Sequence, residues 1–358
     1  MGSSSAFYLS KLNLNILLID QFEFQHNKGS SHGDSRIIRK SYIQQHFASL
    51  MKESYSLWGE IEESYQKKFI FKTGGLDIAE EGSQDIKSVI SACKQENIHH
   101  EIYTNREIKK KFPAFTLPDS HIGVFQPEAG IVKASFALSF FQNKALNNGL
   151  KTKTNEKVLK ISYGVDYVVV STDSNEYKTK KLVIAPGPWI NEFFKFLDIK
   201  RRIAIYHVGY SFFKVKDEVL FQKEKFPIFI NYGPKIFYGF PIFEKASHIK
   251  VAPHFSLNIS EDKRIFSTVD QELLNQTKDF VSKNLNYVEP NPRDAQSCFY
   301  SMTPNEDFII DFHPDTKDIV FVGGFSGHGF KFAPLIGRVV KDLVMKEKTN
   351  YSISKFKL

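Results

Sequence analysis

The chain is poor in cysteine, with only Cys93 and Cys298 among 358 residues. Two cysteines give no disulfide framework and suit a compartment where thiols stay reduced. No apolar run approaches the roughly 18 residues of a membrane span, so no membrane partner is expected. Met1 is followed by Gly-Ser-Ser-Ser-Ala, without a basic n-region or an apolar h-region. Secretion is therefore not expected, and an intracellular location is. Metal-ligand spacing is missing, as are a Gly-x-Ser-x-Gly elbow and a P-loop. There are no internal repeats and no low-complexity linkers. A basic stripe is missing too: the net charge is +8, but the lysines are scattered among acids and the longest cluster is Lys109-Lys110-Lys111. Nucleic-acid binding, which needs such a stripe interleaved with aromatics, is not expected. An anionic cofactor and a carboxylate substrate fit the charge as well.

What the chain does have is glycine where it counts. Residues 323–334 read Gly-Gly-Phe-Ser-Gly-His-Gly-Phe-Lys-Phe-Ala-Pro, after the apolar run Ile319-Val320-Phe321-Val322. Gly323, Gly324, Gly327 and Gly329 let the backbone approach something flat or anionic. A helix-compatible run follows over 335–345, so a strand, a glycine turn and a helix N-terminus form a ready anion site, with Lys331 inside the turn.

The other end of the chain holds half of a motif. Residues 3–11 suit a short helix, and residues 15–19 read as a buried parallel strand ending at Asp20. In a dinucleotide fold a strand and a Gly-x-Gly-x-x-Gly turn precede that helix, and an acid about 20 residues on holds the ribose. Gly2 fits the third glycine and Asp20 the acid, while the first strand and two glycines are absent. Further along, Ile43, Phe47, Leu50, Met51, Trp58, Ile61 and Tyr65 follow helical spacing. Strands are predicted at 158–161, 167–170 and 182–185, the last running into Pro186-Gly187-Pro188-Trp189. A separate antiparallel sheet is predicted from 206–215, 228–232, 236–240 and 248–254, covered by a helix over 268–285. The pattern implies an α/β cofactor domain, Rossmann-like, interleaved with a sheet-rich substrate domain. The expected division is 1–70, 133–201 and 300–358 for the first, 71–132 and 202–299 for the second.

Several residues could carry chemistry. Gly29-Ser30-Ser31-His32-Gly33 suits a loop passing a phosphate, and Arg36 and Arg39 would share one face of a following helical turn. Cys298 lies in Gln-Ser-Cys-Phe-Tyr-Ser-Met-Thr-Pro; a lone cysteine is more often inert core than reactive. Lys250 alternates within a strand and is notable only if it points inward. Tyr238 and His254 read by themselves as packing residues.

Taken together and in order, these segments resemble the monomeric sarcosine oxidase family of flavin amine oxidases, which includes peroxisomal sarcosine/pipecolate oxidases and N-methyltryptophan oxidase. The resemblance runs from Gly2 to the C-terminus and is strongest at 29–39, 182–189, Tyr238-Gly239-Phe240-Pro241, 298–313 and 323–334. It implies the two-domain fold of D-amino-acid oxidases. It also implies FAD attached through a thioether at Cys298, a substrate carboxylate held by Arg39 and Lys331, and Arg36 against the flavin. Lys250 matches the lysine where oxygen is reduced, and His254, Tyr238 and His328 match residues lining the substrate cavity. Asp20 and Gly29, Ser30, Ser31 and His32 match adenosine and pyrophosphate contacts. Gly2, Gly187, Trp189, Gly324, Gly327, Gly329 and Phe330 complete the implied cofactor set.

The implied reaction oxidises a secondary amino acid such as sarcosine or L-pipecolate to an imine, with oxygen as acceptor and hydrogen peroxide as product, in a monomer. The missing first strand departs from the family. Loss of about five buried apolar side chains at roughly 1.5–3 kcal/mol each rivals a whole domain's stability, so upstream residues that restore the strand are expected. Two rivals stay open: a flavin-free binding protein, and a related flavin dehydrogenase or N-methyltryptophan oxidase. Phe356-Lys357-Leu358 ends like a peroxisomal address but has Phe356 where a small residue belongs, so peroxisome and cytoplasm both stay open.

Overall fold

The computed structural model describes residues 1–260 and 269–358. Its first helix, Gly2–Leu9, buries Phe7, Tyr8 and Leu9 between the helices Ala134–Asn147 and Ala333–Lys346. The approach to the last helix is close: a Cβ on Gly337 would fall 2.4 Å from Ser4 Oγ. Ser4 Oγ donates to Ala333 O at 2.6 Å, pinning the start of one helix to the start of the other.

The strand after this helix is Leu17–Ile19, parallel to Lys151–Lys153. The expectation of a buried strand is corrected here. Leu17 is 36% exposed, because no described strand pairs with its other edge. A second parallel pair joins Leu182–Ile184 to Thr316–Gly323, which pairs antiparallel with Ile309–His313. Leu182–Ile184 also has one edge that no described strand pairs with, and both strands border the same cavity. The strands Val158–Tyr163 and Val168–Thr172 form their own antiparallel sheet with Glu176–Thr179. That third strand carries no apolar alternation by which it could be read in advance.

The largest sheet has nine strands. Ala204–Lys214 pairs with His248–Pro253, Asp294–Met302 and Asn258–Ser260, and Phe237–Phe240 joins His248–Pro253 to Ile228–Asn231. Contrary to the expectation of an antiparallel sheet, Ile228–Asn231 runs parallel to Gly75–Glu80. His121–Gln126 and Glu101–Thr104 complete it. Its covering helix is Gln271–Asn284, with Asp270 accepting from Glu272 N and Leu273 N; the expected start at Thr268 lies outside the described residues. Leu273, Thr277 and Val281 give that helix one buried stripe.

A third, three-stranded sheet corrects another expectation. Ser35–Ile38 is a strand, paired with Gly130–Lys133, which also pairs with Ile70–Lys72. Arg36 and Arg39 therefore do not share a helical face. In a strand, side chains alternate, and these two sit in different environments, Arg39 being only 7% exposed. The long helix Gln45–Tyr65 then buries Phe47, Leu50, Met51, Ser54, Leu57, Trp58 and Ile61. On that buried stripe, Ser54 Oγ and Trp58 Nε1 both donate to Lys331 O, at 2.7 and 2.9 Å. The amphipathic helix thus fixes the backbone of the glycine turn's lysine.

Candidate active site

A cavity of about 1480 Å³ runs through the molecule, above the roughly 300–1,000 Å³ usual for one small ligand. Every cofactor or substrate residue implied by the family resemblance except His32 lines it. His32 stands beside it, its Nδ1 3.1 Å from Gly29 O and its ring 6.4 Å from that of Tyr210.

Asp20, Gly187 and Trp189 form one group of lining residues. Asp20 accepts from Phe22 N at 3.0 Å, and burial raises its carboxyl above the usual range. Phe22 packs on Trp189 at 5.3 Å between ring centroids. Gly187 takes φ 58°, which glycine allows without strain. Gly2 lies 3.7 Å, from where its Cβ would be, to Ala185 Cβ, so the first helix starts against the end of Leu182–Ile184. Gly29, Ser30, Ser31 and Arg36 line the cavity alongside, with Arg36 Nη2 donating to Ser30 O at 2.9 Å.

A second group centres on Arg39 and Lys331. Arg39 Nη1 lies 3.3 Å from Asp77 Oδ1 and Nη2 donates to Tyr232 OH at 3.0 Å, while its buried Nε has no partner among the described residues. Burial opposes the Arg39 charge, but Asp77 and Tyr232 outweigh it and hold the guanidinium above its usual range. Lys331 Nζ donates to Tyr42 OH at 3.0 Å. No carboxylate pairs with it among the described residues. Burial, then Arg39, hold its ammonium well below the usual range. Two buried cations thus share one carboxylate, Asp77, and a buried N–H stays unpaired, an arrangement that invites one more anion.

A third group forms the wall beside them. Tyr238 OH and Tyr300 OH are 2.9 Å apart. Burial pushes His254 down to about 4 and His328 well below its usual range, with Lys331 acting in the same direction, so both rings are neutral. His328 Nδ1 lies 3.3 Å from Tyr42 OH and its Nε2 3.1 Å from Glu306 O. Glu306 Oε1 lies 3.9 Å from His254 Nε2, and burial raises the Glu306 carboxyl.

Cys298 and Lys250 come from two strands that each pair with Ala204–Lys214. Burial pushes the Cys298 thiol up to about 11 and Lys250 down to about 8, the latter opposed by Glu244. The glycine turn needs its glycines: Gly327 has φ 77°, and a Cβ there would fall 2.5 Å from the Tyr300 ring and 2.9 Å from His254. Sequence reasoning missed Tyr42, Asp77, Tyr232, Glu244, Tyr300 and Glu306. Tyr300 alone carried a local signal, two residues after Cys298. The others meet the site only through the tertiary fold.

The Lys331 environment has a pH consequence. A lysine held below its usual range keeps its proton only at lower pH, whereas an incoming carboxylate favours the charged form. Binding of an inert carboxylate should therefore raise the pH at which Lys331 loses its proton, with proton uptake over the range in which it titrates and affinity falling as pH rises through that range. Calorimetry in buffers of differing ionisation enthalpy reads this, and binding without proton uptake would contradict it.

Residues 1–343 match the family described as FAD dependent oxidoreductase. The chain is 32% identical to human peroxisomal sarcosine oxidase, covering 100% of this chain and 93% of that protein. It is 29% identical to the monomeric sarcosine oxidase of Bacillus sp. (strain B-0618), with the same coverages of 100% and 93%. Its fold superposes on NikD, an amino acid oxidase of nikkomycin biosynthesis, with TM-score 0.89 at 21% identity over 99% of this chain and 94% of that one. The cavity suits the group this family carries: it has room for a dinucleotide and a substrate, a glycine turn with no space for side chains, and an unpaired buried Arg39 N–H. The chain belongs to the FAD dependent oxidoreductase family, and within it to the sarcosine oxidases.

Proposed function

We propose that this protein is an FAD-dependent oxidase of secondary amino acids, of the sarcosine and L-pipecolate type. The observation that carries this reading is the pairing of Arg39 and Lys331, two buried cations with one carboxylate between them, in the same cavity as Cys298 and Lys250. A substrate carboxylate would supply the second negative charge, placing the amine end under the wall of Tyr238, Tyr300, His254 and His328. The neutral His254 imidazole there could accept a hydrogen bond or proton from the substrate nitrogen, which oxidation requires as the free amine.

Asp20, Gly29, Ser30 and Ser31 would hold the nucleotide part, Arg36 and Gly324 would border the ring, and Cys298 would attach it. When bound, FAD would supply the oxidising chemistry, the removal of a hydride equivalent from the carbon beside nitrogen with oxygen as the final acceptor and hydrogen peroxide as product. The protein's part is to fix the carboxylate, keep the cavity dry and present the Lys250 ammonium to the negative charge that develops on oxygen. The imine product then meets water and gives an aldehyde from an N-methyl substrate. Lys250 is also what favours an oxidase over the dehydrogenase reading.

Buried at a pKa of about 11, the Cys298 thiol is a poor nucleophile by itself. Attachment should therefore occur only with FAD seated beside it. Purified protein precipitated with acid should keep its flavin absorbance in the pellet, and Cys298→Ser should release it to the supernatant. Flavin released equally from both would remove Cys298 from the attachment role.

The Bacillus relative is named as monomeric, and we propose the same state for this chain. For location, Phe356 is 1% exposed and stacks on Phe47 at 5.7 Å, and its carbonyl accepts from Ile310 N at 2.8 Å. A receptor reading residues 356–358 would have to detach Phe356 from this packing first.

A further inference from the structure

Glu244 stands in the turn between the strands Phe237–Phe240 and His248–Pro253, with its side chain 11% exposed. Burying a carboxylate is costly unless donors surround it. Four do. Asp34 N and Ser35 N donate to its two oxygens at 3.1 and 2.9 Å, and Ser35 Oγ and Lys250 Nζ both donate to Oε1. Lys250 Nζ also donates to Ser35 O at 3.3 Å. Its sides are closed by rings, with the centroids of Tyr210 and Phe240 at 4.8 and 4.6 Å. One carboxylate therefore ties the cavity lysine to the backbone that presents Arg36.

We propose that Glu244 is the positioning residue of the oxygen step, locking the Lys250 ammonium and the residue 34–36 backbone into one unit and supplying the counter-charge that keeps Lys250 cationic. The proposal rests on the reading of Lys250 given above, and it extends that reading to a residue on a different element.

The charges facing Lys250 set the direction of its pH dependence. Glu244 faces it from the turn, Arg36 and His32 from residues 32–36, Tyr210 from Ala204–Lys214 and Cys298 from Asp294–Met302. Burial and Arg36 oppose its proton, whereas Glu244 favours it. A lysine is charged below its pKa. With the Glu244 charge removed, the charge-dependent step should therefore fail at lower pH than in the parent protein.

The test compares Glu244→Gln, Glu244→Asp and Lys250→Met. In protein labelled with ¹³C-lysine, the Cε resonance of Lys250, assigned by its loss in Lys250→Met, reads protonation without turnover. In Glu244→Gln its midpoint should fall by more than about one pH unit, which is about fivefold in charged fraction at the parent midpoint. Reoxidation of reduced holoenzyme by oxygen should slow by about the same factor, while anaerobic reduction by substrate changes less than about twofold. An unchanged midpoint in Glu244→Gln overturns the proposal. Glu244→Asp keeps the charge but withdraws it by one methylene. Slower reoxidation with intact reduction supports the positioning role even if Glu244→Gln does not fold, and reoxidation equal to the parent's overturns it. Lys250→Met separates the two claims. Unchanged reoxidation there defeats the reading of Lys250, whereas the resonance midpoint still decides whether Glu244 holds its charge.

Discussion

Replacing Lys331 by Met should cripple the enzyme and stabilise the protein at once. The amine end of this side chain is buried, has Tyr42 OH as its hydrogen-bond partner, and is held well below its usual range by burial and Arg39. Methionine fills nearly the same volume without a charge to desolvate. Replacing buried ionic groups by apolar ones of similar volume is often neutral or stabilising, by about 1–4 kcal/mol. The backbone carbonyl that anchors the turn to Ser54 and Trp58 remains in place. The substrate carboxylate, however, loses one of its two cations. Truncating one partner of a buried charge pair costs about 2–4 kcal/mol, or roughly 30- to 1,000-fold in kcat/KM. Thermal melts of the protein without substrate and steady-state kinetics with sarcosine or L-pipecolate read the two effects. A variant that is both less stable and fully active would place the carboxylate elsewhere.

Asp77→Ala should do the opposite to stability. Asp77 is 2% exposed and accepts from Ser41 Oγ at 2.6 Å and Tyr232 OH at 2.9 Å, in addition to its ion pair with Arg39 at 3.3 Å. Its loss leaves Arg39 buried beside Lys331 with no carboxylate between them. Breaking a buried pair in this way costs about 3–5 kcal/mol. Because an incoming carboxylate would then be the sole counter-charge beside Arg39 and Lys331, an inert carboxylate ligand should raise the melting temperature of Asp77→Ala more than that of the parent. Asp77→Asn, which keeps the shape, should fall between the two. If Asp77→Ala melts with the parent, Arg39 does not depend on Asp77 for its charge.

Much of the site was legible because its chemistry is carried by short ordered segments. The turn at 323–334, Cys298 within 296–304 and Lys250 in an alternating strand each announce themselves locally, and all three line the cavity. The supporting residues did not, because their contacts cross the chain. Arg39 reaches Tyr232 across 193 positions and Lys331 reaches Tyr42 across 289. No local pattern marks Asp77, a polar residue buried within the apolar strand Gly75–Glu80. Periodicity also misled at Arg36 and Arg39. Their spacing of three suits a helix, yet Ser35–Ile38 finds its partner nearly a hundred residues on, at Gly130–Lys133, and becomes a strand. The strand before Asp20 was correct in kind and wrong in burial, since burial depends on which neighbours pair with it. Local propensity yields to tertiary pairing in both cases.

The most direct measurement supplies the purified flavin-loaded protein with L-pipecolate and with piperidine, which shares the ring and the amine but lacks the carboxylate, and records hydrogen peroxide. Peroxide from L-pipecolate or sarcosine, with next to none from piperidine, is the expected result. That preference should collapse in Lys331→Met. Equal peroxide from piperidine and the amino acids, or a flavin that none of them reduces, would contradict the assignment of Arg39 and Lys331 as the clamp of an amino-acid oxidase.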